Sequence, residues 1–219
     1  MRGVFLGIVL IIPSLALATA TPSETEPVCG GGVNSSICFA SIDVANKVTP
    51  KLRKRLALAG SDAINIVSSP EFERELNAFH AAHSNSGPHR EYWRDFDPKR
   101  AVIDTRANFD GLHIETVGGV RAWFSSTFLG NLAYEGSTRL DGSREILLNR
   151  NRLDRPTASL VGTYVHEAAH KAGYSHRQKQ TKDQKCEPPY VMGQIASKLA
   201  DPVGWSLDRS KSDACRFLS

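Results

Sequence analysis

The chain has 219 residues, with 27 Lys and Arg against 23 Asp and Glu, a formal net charge of +4 at pH 7, and 41% hydrophobic residues. That is enough chain for one domain with a real core. The charge surplus is too small and scattered to indicate a nucleic-acid partner. Its one dense run, Lys51-Leu52-Arg53-Lys54-Arg55, reads as a solvated helix face.

Met1 to Ala20 stands apart from the rest. Arg2 precedes an apolar run from Gly3 to Ala18, and small residues follow at Ala16-Leu17-Ala18 and Ala18-Thr19-Ala20. The pattern predicts a secretory signal peptide over residues 1–20. The mature chain is then expected to be secreted or extracellular, or periplasmic in a Gram-negative bacterium, with no stable membrane insertion after cleavage. The four cysteines are Cys29, Cys38, Cys186 and Cys215. In an exported chain an even count predicts two disulfides with three possible connectivities, of which proximity favours Cys29–Cys38 and Cys186–Cys215. Residues 21–39 read as a stapled lead-in and 40–219 as a single domain.

The predicted elements follow in chain order. Ala40 to Ala59 reads as helical in parts, with a helix starting at Pro50, capped by Thr49 and ending at Gly60. Ser69-Pro70-Glu71 opens a second helix whose apolar face is Phe72, Leu76 and Phe79, ending near His83. Ser84 to Pro98 reads as a loop. His80, His83 and His89 fall in and beside it, and His80-x-x-His83 is a weak second candidate for metal binding. Strands are expected at Ala101 to Asp104, Leu112 to Val117, Val120 to Phe124, Asn131 to Glu135 and Glu145 to Leu148, with a turn over Gly136 to Gly142. Thr157 to Ala172 reads as a helix buried through Leu160, Val161, Tyr164, Val165 and Ala168. Beyond Pro188-Pro189, a helix is expected over Tyr190 to Ala200, with Val191, Ile195 and Leu199 on one face.

The chemistry concentrates in the run from His166 to His176, which reads H-E-x-x-H-x-x-G-x-x-H. Residues four apart share a helix face, so His166 and His170 can aim at one point. Glu167 is next to the first of them and can reach a metal-bound water without being a ligand. Gly173 can adopt the left-handed conformation that ends a helix, which lets the chain return with His176. Three imidazoles leave a fourth position open, the arrangement of a catalytic rather than a structural zinc site.

These eleven residues resemble the extended zinc-binding signature of the metzincin metallopeptidases. The resemblance implies that His166, His170 and His176 hold one Zn2+ ion and that Glu167 is the catalytic general base. It further implies an α+β, zincin-like fold, with a mixed sheet, an active-site helix and a short C-terminal helical part. In that family a methionine on a tight turn underlies the metal. Met192 is the candidate here, although the helical periodicity through it argues for a helix instead. The reading is therefore a secreted zinc metalloendopeptidase acting on protein or peptide substrates. Tyr190, Tyr174 and Tyr134 are its candidate oxyanion donors. The alternative is a secreted zinc-binding toxin, effector or interaction protein without general protease activity.

Overall fold

The computed structural model describes residues 28–30, 37–39, 41–43, 49–85, 89–109, 113–117, 136–138, 145–149, 153–176 and 185–207. The expected signal peptide, the strands at Val120 to Phe124 and Asn131 to Glu135 (with Tyr134), and Cys215 lie outside them.

Helix α1, Pro50–Val67, starts where Thr49 accepts a hydrogen bond from the Leu52 amide. It does not stop at Gly60. Leu56, Ala59, Ala63, Ile64 and Val67 are fully buried, so the apolar face that should close at the glycine runs on for two more turns. Helix α2, Pro70–His83, begins at the Ser69 cap as expected, with Phe72, Leu76 and Phe79 buried. The expected loop contains a single helical turn, α3, Arg90–Trp93. Residues 101–104, read from their sequence as a strand, lie inside helix α4, Pro98–Ala107. The stronger local signal was one turn upstream. Asp97 caps the Arg100 amide and Pro98 occupies the first helical turn, where its missing N–H costs nothing.

The histidine-bearing helix is α5, Thr157–Lys171; it is followed by α6, Pro188–Ala200, and α7, Pro202–Leu207. The strands are three to five residues long: β1 Val28–Gly30, β2 Ile37–Phe39, β3 Ser41–Asp43, β4 His113–Val117, β5 Gly136–Thr138 and β6 Glu145–Asn149. Strand β5 occupies the stretch expected to turn. Strands β1 and β2 pair antiparallel with Cys29 opposite Cys38, and the others align in the order β3-β4-β6-β5.

The expectation of an α+β, zincin-like domain is corrected by these elements. Outside the short strands the described chain is 76% helical. Helix α5 finds its most extensive contacts on α6 and α1, not on a sheet. The C-terminal helix α6 is thus no minor appendage but the main support of the motif. Both strand residues whose burial is described, Ile146 and Leu148, lie in the core with residues of the helices and their connections. The physical reason for the difference is that α5 is apolar on more than one side. Val161, Tyr164, Val165, Ala168 and Ala169 are all at most 1% exposed, so α5 must be covered on several sides, chiefly by α6 and α1. The Tyr164 hydroxyl donates to the Leu56 carbonyl at 3.3 Å and pins α5 to α1.

Helices α5 and α6 approach closely because both are glycine at the crossing. A Cβ added to Gly162 would sit 2.6 Å from the Gly193 carbonyl oxygen. One added to Gly193 would sit 2.7 Å from the Gly162 carbonyl oxygen and 3.2 Å from the Cβ of His166. Met192 lies in this helix, fully buried, so the segment below the motif is a helix and not a tight turn. Among the described residues, no helix is long and apolar enough to cross a membrane.

Candidate metal centre

The first two histidines come from the interior of α5, one turn apart. The third needs the helix to end. The Gly173 amide donates to the His170 carbonyl and the Tyr174 amide to the Ala169 carbonyl, at 3.0 and 3.1 Å. This is the paired closure of a Schellman turn, and Gly173 has the positive φ, 94°, that it demands. The chain leaves the helix in the direction that returns His176 to its two predecessors.

The three Nε2 atoms form a nearly equilateral triangle. They are separated by 3.2 Å between His166 and His170, 3.1 Å between His170 and His176, and 3.3 Å between His166 and His176. Zinc bonded tetrahedrally at about 2.0–2.1 Å spans nitrogens about 3.3–3.4 Å apart, so the triangle is of the size the ion needs. The opposite ring nitrogens explain why the site favours a cation. His170 Nδ1 donates to the Tyr174 carbonyl at 2.6 Å, and His176 Nδ1 donates to Glu187 Oε2 at 2.7 Å. His166 donates to the Pro189 carbonyl. With the protons held on those sides, three lone pairs converge on one point. They repel one another unless a cation lies between them.

The rings are also kept neutral. Burial first, and then the neighbouring imidazoles, holds His166 well below the ordinary 6.5. Burial lowers His170 to about 4, with His176 adding to the effect, and burial likewise lowers His176 to about 4. Neutral imidazole is the form that ligates. Two carboxylates lie close by in the chain and are almost inaccessible: Glu167, 3% exposed, and Glu187, 2% exposed. These three histidines can hold a metal ion.

Three of the sequence candidates thus come together, and Glu167 is buried on the same helix beside the first. Tyr190 packs against two of the three histidines, its ring centre 4.5 Å from that of His166 and 4.6 Å from that of His176. Tyr174 contributes its carbonyl to His170, while its ring packs against Phe96 at 5.4 Å. His80 and His83 do not join the site. Reasoning from sequence missed Glu187 and the carbonyls of Tyr174 and Pro189. A carbonyl leaves no trace in residue type. Glu187 left one: a glutamate at a helix start, before two prolines, where Ser, Thr, Asp or Asn is the usual cap. Cys186, beside it, is disulfide-bonded.

No family model, no curated protein and no solved structure matches the chain. The metzincin resemblance therefore rests on the eleven residues themselves.

Proposed function

We propose that the chain is a secreted zinc-dependent metalloendopeptidase, with His166, His170 and His176 as ligands and Glu167 as the general base. The observation that carries this reading is the triangle of Nε2 atoms at 3.1–3.3 Å with a buried carboxylate on the adjoining residue. A metal-holding role alone does not call for a carboxylate beside a ligand, so the binding-protein alternative is the weaker one.

Zinc, when bound, polarises a substrate carbonyl and lowers the pKa of a coordinated water toward about 7. The rest falls to the protein. The three neutral imidazoles add no charge of their own, so they leave a bound dication's charge undiminished. Glu167 accepts the proton of the attacking water and later passes it to the leaving amine, acting first as base and then as acid. Its burial, 3% exposed, keeps competing water away from the carboxylate. The Tyr190 ring packs against both His166 and His176 and restricts how those rings can turn.

The test is incubation of the purified chain with a peptide mixture, with and without a chelator, beside the Glu167→Ala variant. The wild-type chain should cleave, and the chelator should abolish cleavage. Glu167→Ala should bind zinc as the wild type does and lose roughly 100- to 10,000-fold in rate, the span of general acid–base contributions. Full activity in the variant would remove Glu167 from the reaction and the assignment with it.

A further inference from the structure

We propose that Glu187 is the positioning residue of the metal centre: it holds His176 through Nδ1 so that Nε2 faces the other two ligands. This rests on the three histidines being a metal site, and it concerns how that site is held.

The ligands are not equally secured. His166 and His170 project from successive turns of α5, and backbone carbonyls accept from both rings. His176 lies past the helix end, where no helical hydrogen bonds fix its backbone. It is the ligand whose ring is held by a side chain, with 2.7 Å between Nδ1 and Glu187 Oε2. A carboxylate bond is stronger than a carbonyl bond and directional enough to set the ring's tautomer and rotation.

Glu187 is the N-cap residue of α6, yet its side chain makes no capping bond. Pro188 and Pro189 open the helix, and lacking amide N–H groups they reduce the number of donors that need a cap. The helix start is fixed in other ways. The Glu187 carbonyl accepts from the Val191 amide at 3.0 Å, and the Trp93 indole donates to the Cys186 carbonyl at 2.9 Å. Cys186 is itself in a disulfide and fully buried. The backbone is therefore anchored independently of the carboxylate, which accepts from the His176 ring.

The experiment compares the full chain with Glu187→Ala and Glu187→Gln. Zinc affinity is read by chelator competition, the ligand field by Co2+ absorption, and folding by far-UV circular dichroism. Glu187→Ala should keep its helical spectrum, bind zinc roughly 10- to 100-fold more weakly and shift the Co2+ bands. Glu187→Gln keeps an acceptor oxygen of the same reach but lacks the charge, and should fall between the two. Zinc affinity within twofold of wild type and unchanged Co2+ bands in Glu187→Ala would overturn the proposal. Should that variant not fold, the same result in Glu187→Gln would overturn it. Failure of the wild-type chain to bind zinc would instead overturn the reading of the three histidines.

Discussion

Two groups of histidines sit on helices in this chain, and only one converges. His80 and His83 are three apart on α2, much as His166 and His170 are four apart on α5. Spacing alone recommends both. In the first group each ring is spent elsewhere. His80 Nε2 meets the Trp93 carbonyl at 3.0 Å. His83 Nδ1 meets the Phe79 carbonyl of its own helix at 2.8 Å, and its ring stacks on Phe79 at 4.0 Å. In the second group the backbone and Glu187 take the outer nitrogens, and all three Nε2 atoms are turned to one point. A metal centre is therefore decided less by which residues share a face than by what occupies the far side of each ring.

The contrast can be broken by exchanging its terms. His170→Ala removes a ligand and should weaken zinc binding by more than the roughly 10- to 100-fold that supporting residues contribute. His80→Ala should leave affinity within about twofold. A large loss in His80→Ala, measured by chelator competition, would mean that the two groups are not independent. A smaller effect is expected where the helix pair supports the site. Gly193→Ala places a methyl against the Gly162 carbonyl and the Cβ of His166. Overpacking of this kind costs about 1–3 kcal/mol. Thermal unfolding should show that loss in the metal-free chain, with a weaker zinc affinity beside it. An unchanged melting temperature would mean that α5 and α6 separate there at no cost.

The histidine triad was legible because its logic is local. Two residues a turn apart, a glycine that reverses the chain and a third histidine just beyond are all written within eleven positions. Glu187 was hidden because its partner is eleven residues away across the end of one helix and the start of another, and no periodicity links them. The fold was less legible for a related reason. Ala101 to Asp104 reads as a strand, yet the cap at Asp97 and Pro98 had already started a helix. Gly60 reads as a stop, yet the buried faces of Ala63, Ile64 and Val67 carried α1 past it. In both places packing or capping a turn away outweighed the residue's own preference. The metzincin resemblance brought an α+β expectation with it, and the helical neighbours of α5 did not follow, since eleven residues specify a ligand geometry and not the elements that carry it.

The central claim is that three imidazoles hold one zinc ion, and the most direct measurement is X-ray absorption at the zinc edge on the purified wild-type chain, with metal content determined on the same sample. The account predicts one zinc per chain, surrounded by three imidazole nitrogens and one oxygen ligand. A chain that takes up no zinc, or zinc bound by fewer than three imidazoles, would contradict it.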